Sequence, residues 1–259
     1  MKKILLIINA VTVSFCINLN ASEYSFRKYS HVKEFYKDIS EQAIQISKKY
    51  NLPAASVLAI AGLESGYGSG YVAQISGNIL SLGAFKGDKE LLALYLPYSK
   101  SQKKILFDSR EIAKQTKDDL TYKLREKSLK RDYRPYPYAG TTKNLSLLKY
   151  NKYLREKAHK ECLNDFATRW IVANSNIKAF RDARIYLDDL VKKEGVKVLL
   201  LESTNKDFTN KIGGIPNSFN YRQTWPKKVK LIMDKVGLVE LVNDMVSKKL
   251  SFEEAWKKK

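Results

Sequence analysis

The chain is 259 residues long and carries 47 Lys and Arg against 27 Asp and Glu, a formal net charge of +20. Its two cysteines exclude a disulfide-stapled scaffold, because Cys16 lies in a leader segment and Cys162 then has no intrachain partner. The fold must rest on a core, and a chain of this length can bury one.

Met1 to Ala21 combines Lys2 and Lys3, an apolar stretch from Ile4 to Val13 that continues to Ile17, and a Leu19-Asn20-Ala21 end. That is the three-part pattern of a secretory signal peptide. Asn9, Thr12 and Ser14 interrupt the stretch, which is shorter than the ~20 apolar residues a membrane span needs. Lipidation at Cys16 is the lesser alternative, since the bulky Phe15 before it suits that processing poorly. The expectation is therefore export of residues 22–259, without a transmembrane segment, to the periplasm or cell envelope. No nucleic-acid motif is visible, and export leads away from nucleic acid. The positive charge then suits anionic envelope surfaces, or it is simply a solvated basic exterior.

His31 to Tyr50 places Val32, Phe35, Tyr36, Ile39, Ala43, Ile46 and Tyr50 at steps of three and four, the spacing of an amphipathic helix. Asn51 and Leu52 end it. Pro53 begins a second helix at the first-turn position, and this one is apolar on every side up to Leu63, so it is expected to be buried. A loop from Gly66 to Asp88 follows. Lys89 to Leu96 reads as a short helix stopped by Pro97. Asp108, three residues before Glu111, reads as the cap of a charged helix running to about Lys130. Arg131 to Gly140 is a non-helical insert, because Pro135 and Pro137 force extended backbone between tyrosines. Asn144 to Lys193 is helical again, and after a loop at Gly213, Gly214 and Pro216 the last helices run Pro226 to Val236 and Leu238 to Trp256. No long alternating run argues for a large sheet and no repeat is visible, so the expected fold is mainly α in a single domain.

Glu64 is the only charged residue between Tyr50 and Lys86, and it closes the apolar run. Burial disfavours its charged form and the negative end of the helix dipole repels it, so both effects raise its pKa towards that of a proton donor near neutral pH. The following Ser65-Gly66-Tyr67-Gly68-Ser69-Gly70-Tyr71 ends the helix and leaves room for a polymer, with Tyr67 and Tyr71 offering flat faces to sugar rings. Tyr133, Tyr136 and Tyr138 either line the same groove or pin a surface loop. Cys162 reads as a small buried residue rather than a nucleophile. His31 and His159 sit in no ligand motif, so no metal and no cofactor is expected.

Leu52 to Gly68, followed by Gly77-Asn78-Ile79-Leu80-Ser81-Leu82-Gly83, resembles the opening of the lysozyme-like glucosaminidase family, which includes Bax-like proteins, flagellar muramidases and cell-wall autolysins. Members typically show an apolar helix ending Glu-Ser-Gly-Trp-Gly and then Gly-Asn-Asn-Leu-Phe-Gly; here Tyr67 replaces the Trp and Ile79 the second Asn. Phe166 to Leu190 also looks like a later helical segment of Bax-like members. The resemblance implies a lysozyme-like helical domain that hydrolyses β-1,4 bonds at N-acetylglucosamine in peptidoglycan glycan strands, without a cofactor. It carries the role of general acid to Glu64, a groove position to Asn78, and a tyrosine beside the acid to Tyr221. Glycosidases commonly use a second carboxylate. Asp88, Glu90 and Asp108 are available, but no motif singles one out, and none is assigned. A substrate acetamido nucleophile, a lytic transglycosylase with one glutamate, and a non-catalytic wall-binding protein are the alternatives.

Overall fold

The computed structural model describes residues 24–88, 95–124, 130–135 and 147–257. The leader at 1–21, Glu90, Tyr136 and Tyr138 lie outside them. The architecture is mainly α. Helix α1 (Ser30–Tyr50) turns its Val32, Phe35, Tyr36, Ile39, Ala43 and Ile46 face onto α2 (Ala54–Ser65), matching the expected spacing. Helix α2 is buried along its length, with Leu58, Ala59, Ile60 and Ala61 wholly excluded from solvent.

Around α2 the chain wraps α8 (Glu202–Ile212), α9 (Trp225–Val236) and α10 (Leu238–Ser247), while α6 (Lys152–Asp165) backs onto α1. Helix α6 runs directly into a π turn (Phe166–Trp170), and α7 (Lys178–Glu194) follows. Cys162 is buried on α6, its thiol facing Asn78 Oδ1 at 3.6 Å and its pKa pushed up to about 12 by burial, which fits a packing role. The last element among the described residues is α11 (Phe252–Lys257).

Burying α2 raises a question at its first turn, where backbone N–H groups have no intrahelical partner and Pro53 has no side-chain oxygen to cap them. The cap comes from another helix. Asn205 on α8 accepts from Ser56 N through Oδ1 at 2.9 Å, and its own carbonyl accepts from Ser56 Oγ at 2.7 Å. Its Nδ2 donates to the carbonyls of Leu199 and Leu201 at 3.0 and 2.8 Å, so the buried amide is satisfied on both sides.

Several elements differ from the sequence reading. The 66–88 loop contains a short helix, α3 (Tyr71–Ser76), too brief to show periodicity. Tyr95–Ser99 is a strand, β1, rather than a helix end; short apolar runs read equally as either. Asp108 does cap a helix, accepting from Arg110 N at 2.8 Å, but α4 stops at Ala113. The polar Lys114–Asp119 stretch has no apolar face to bury, so the helix does not propagate, and Leu120–Leu124 becomes β3 instead. The order β2 (Lys104–Ile105), β1, β3 is antiparallel throughout. This small sheet joins the helical body through backbone contacts: Tyr71 N to Phe107 O at 2.8 Å and a Gly70–Asp108 bridge. A second bridge pairs Gly83 with Lys130, and Tyr133 N reaches Ser76 O at 2.8 Å.

Asn205→Ala would remove the buried side-chain partner of the Ser56 N–H and of the Leu199 carbonyl, while Leu201 O keeps its bond from the residue 205 backbone N–H. It is expected to lower stability by about 2 kcal/mol in denaturant unfolding, with an unchanged m-value if only the native state loses contacts.

Candidate active site

The C-terminus of α2 is closed by a left-handed Gly66 at φ 56°, with Tyr67 N donating to Gly62 O at 2.9 Å across the last turn. This is the glycine-ended cap in which a residue with a Cβ would be strained. Ser65 Oγ then accepts from Gly68 N at 2.8 Å, and Gly70 N reaches back to Ser65 O at 2.8 Å. The turn therefore folds tightly under the helix end and leaves Glu64 beside a cleft of about 370 Å³.

The cleft lies between the helical body and the small sheet. Glu64, Tyr71, Asn78 and Ser81 line one side, Leu96 and Phe107 the other, with Lys130 also on its wall. Among these lining residues Glu64 is the one carboxylate. A larger groove of about 880 Å³ runs between α1 and α6, bounded by Gln45, Tyr153 and Lys157, but Glu64 is not part of it and its charges are those of a mixed polar surface. The smaller cleft, which holds the isolated carboxyl, is therefore the candidate site.

Glu64 is half-buried, and its carboxylate accepts from Trp225 Nε1 through Oε1 at 2.8 Å. Burial raises its pKa above the ordinary glutamate value. The Trp225 hydrogen bond and the charges of Lys130 and Arg222 pull the other way without overcoming it. An indole N–H only donates. When the carboxyl is protonated, Oε1 must therefore remain the acceptor and the proton belongs on Oε2.

Trp225 begins α9 and is itself nearly buried. Its ring packs on Phe219 at 5.2 Å, and Phe219 continues to Phe166 and Phe180 in the core. Gly213 lies against the other side: a Cβ there would meet Trp225 Cε3 at 2.2 Å. From sequence, Trp225 stands only as the residue before the helix expected to start at Pro226. A glycine pair followed twelve residues later by Trp-Pro marks a helix start, but not what the indole would touch.

The candidate residues named from sequence fall in different places. Tyr71 lines the cleft, its pKa pushed up to about 12 by burial. Tyr67 instead turns behind the helix end and meets Phe35, Tyr36 and His31 edge-on, also with a pKa of about 12 from burial. Asn78 reaches the cleft wall, yet its amide is engaged with the backbone: Nδ2 donates to Leu82 O and Arg131 O, and Oδ1 accepts from Leu82 N. Tyr221 is 69% exposed on the α8–α9 loop, with the Arg222 guanidinium 5.9 Å from its ring; the contact from this loop region to Glu64 is made by Trp225. Tyr136 falls outside the described residues.

The candidate second carboxylates are engaged elsewhere. Asp108 caps α4 and pairs with Arg110, whose hydrogen bond holds its pKa at about 2. Asp88 pairs with Arg169 at 2.9 Å and Arg131 at 3.4 Å. Burial works to raise its pKa, but the Arg169 and Phe85 N–H hydrogen bonds and the two guanidinium charges together lower it.

No protein-family model and no curated protein matches the chain. Among solved structures, the catalytic domain of the autolysin Auto from Listeria monocytogenes is similar over 82% of this chain and 87% of its own, at 18% identity and a TM-score of 0.45. Likeness at that level decides nothing about the chemistry, which the residues of the cleft must carry.

Because the folded-state pKa of Glu64 is raised, the folded chain binds more protons there than the unfolded chain between the ordinary carboxylate range and the raised value. Its contribution to stability falls as pH rises through that window, and the cost is complete above it. Glu64→Gln is neutral at every pH and keeps an acceptor for Trp225. Thermal melts should show it more stable than the parent at pH 7 by up to about 1 kcal/mol, with the gain gone near pH ~4.

Proposed function

We propose that the chain is an exported peptidoglycan hydrolase that cleaves β-1,4 glycosidic bonds at N-acetylglucosamine, with Glu64 as the general acid. The observation that carries this reading is a half-buried carboxyl of raised pKa, fixed by the Trp225 N–H at one oxygen and facing a cleft between two lobes. A general acid needs its proton near the working pH, and burial is the usual way to keep it. The resemblance of the Glu64 and Asn78 segments to the glucosaminidase family supports the same assignment.

In this reading the glycosidic oxygen of a bound strand lies near Glu64 Oε2, which gives up its proton as the C1–O bond breaks. The cleft lining among the described residues supplies no second carboxylate, so the carbonyl oxygen of the substrate's own 2-acetamido group attacks C1 and forms a cyclic intermediate. Glu64, now a carboxylate, takes a proton from water as the water opens that ring, and the acid is restored. Tyr71 and the exposed ring of Phe107 offer faces for sugars on either side of the cleft. Asn78 acts by holding the 78–82 turn in place. Cleavage of residues 1–21 would release the enzyme to the periplasm or envelope, where its positive charge favours anionic surfaces.

The same single-carboxylate cleft also suits a lytic transglycosylase, in which an internal hydroxyl of the substrate replaces water. Mass spectrometry of fragments from isolated peptidoglycan separates the two. Reducing N-acetylglucosamine ends are expected; anhydro-muramyl ends would mean transglycosylation, and no fragments from the parent would leave a wall-binding protein. Glu64→Gln should cost roughly 100- to 10,000-fold in kcat. Trp225→Phe removes a hydrogen bond that lowers the Glu64 pKa, so the alkaline limb of its pH–rate profile should move to higher pH. An unmoved limb in that variant would refute Glu64 as the titrating acid.

A further inference from the structure

The groove between α1 and α6 is larger than the Glu64 cleft, at about 880 Å³, and has no part in the chemistry proposed above. Its two walls are helix faces. On α6, Tyr153, Lys157, Lys160 and Asn164 follow at steps of four, three and four and so share one stripe; on α1, Gln42, Gln45, Ile46 and Lys49 do the same. From Tyr153 to Asn164 the stripe runs about 16 Å at the helical rise. That length takes about five residues of extended chain.

The lining asks for a particular occupant. Arg131 is paired with Asp165 and Glu156 with Lys152, but Lys49, Lys157 and Lys160 meet no carboxylate among the described residues, and Glu161 is the lone acid left unpaired. The free charge is mostly positive. Gln42 lines the groove with an Oε1 that is shut from solvent yet accepts no hydrogen bond, and a buried acceptor of that kind is costly until a donor reaches it. The amides of Gln42, Gln45 and Asn164 each carry donors beside an acceptor, the pattern that a peptide backbone complements. Tyr153 is the one widely exposed ring in the lining and stands at the end of its stripe, so sugars have no row of aromatic faces to stack on.

Position points to the source of such a peptide. Lys130 lines the Glu64 cleft and Arg131, next in the chain, lines the groove, so one segment borders both. That segment is pinned by its backbone: Arg131 N donates to Leu82 O at 3.1 Å and Tyr133 N to Ser76 O at 2.8 Å. We propose that the α1–α6 groove binds, in extended form, a carboxylate-bearing peptide branched from the polymer that lies in the cleft. This rests on the peptidoglycan hydrolase reading and deepens it, because the peptide-bearing strand rather than the bare glycan becomes the preferred substrate. Lys157 and Lys160 meet the carboxylates, and Gln42 and Gln45 pair with the peptide backbone.

The test uses the mature chain carrying Glu64→Gln and, as probe, the acidic peptides cut from isolated peptidoglycan, with their carboxylates either free or amidated. Calorimetric titration is expected to show the free acid bound more tightly than the amide. Lys157→Gln and Lys160→Gln, both at exposed positions, should each weaken the free acid by about threefold. Binding of a neutral N-acetylglucosamine oligosaccharide should not change. No binding of the free acid, equal binding of acid and amide, or an equal loss for peptide and oligosaccharide in the double variant would overturn the site. With the active parent, kcat/KM should be higher on intact strands than on strands stripped of peptide, and the double variant should narrow that gap. A parent that binds the peptide but cuts both strands equally overturns the branch as its source. One that binds the peptide and cuts neither overturns the hydrolysis reading alone.

Discussion

Everything in this molecule follows from burying a helix that has no polar side. Helix α2 cannot tilt, slide or rotate without exposing apolar surface, so α1, α8, α9 and α10 all pack against a fixed rod. Its ends then set the requirements for the rest of the chain. At the first turn the backbone donors must be met from outside, which places Asn205 on α8. At the last turn the chain has to leave abruptly, which places left-handed residues from Gly66 to Gly68. Glu64, one residue before the end, inherits a direction that no surface helix could guarantee, and precision of that kind suits the proton-donor role proposed for it.

The acid is also where the fold works against itself. A half-buried carboxyl is a cost to stability at neutral pH, and the last turn of a helix adds to it. The Trp225 N–H limits the cost without removing it, since one neutral donor stabilises the charged form only partly. The tryptophan in turn is clamped between Phe219 and Gly213, so the donor does not swing away from the carboxylate. A chain that needed only stability would have little use for this carboxyl at the end of its central helix.

What the sequence revealed and what it hid divide along physical lines. Helices α1, α2 and α9 were legible because their apolar positions repeat, or fill every side, over more than ten residues. Glu64 was legible because an isolated charge in an apolar run leaves few places to go. Trp225 was not, because its contact joins residues 161 apart and no local pattern encodes it. The small sheet was missed for the same reason: its strands are short, and Tyr95–Ser99 gains its identity from pairing with Leu120–Leu124 and Lys104–Ile105. Tyr67 and Tyr71 looked equivalent beside Glu64. The tight turn between them sends one ring back onto α1 and the other into the cleft, a distinction made by φ angles rather than by residue type.

Behind the cleft, the segments that carry Asn78, Ser81 and Lys130 are tied to the helical body by charge. Asp88 and Asp165 each meet both Arg131 and Arg169, with the closest approaches between 2.9 and 3.4 Å, in a closed ring of four. Asp88 belongs to the loop that begins at Asn78, Arg131 follows Lys130, and Asp165 and Arg169 sit where α6 passes into its π turn. The ring thus ties two segments of the cleft wall to the helical body. Because every member is paired twice, no single charge is left without compensation, which is the condition under which partly buried ions hold a geometry. An apolar clamp would serve stability as well, but it would bring apolar surface to the edge of the cleft in which the proposed polar polymer binds. The ion ring holds the 78–88 loop and the 130–135 segment against α6 without adding apolar surface beside the cleft.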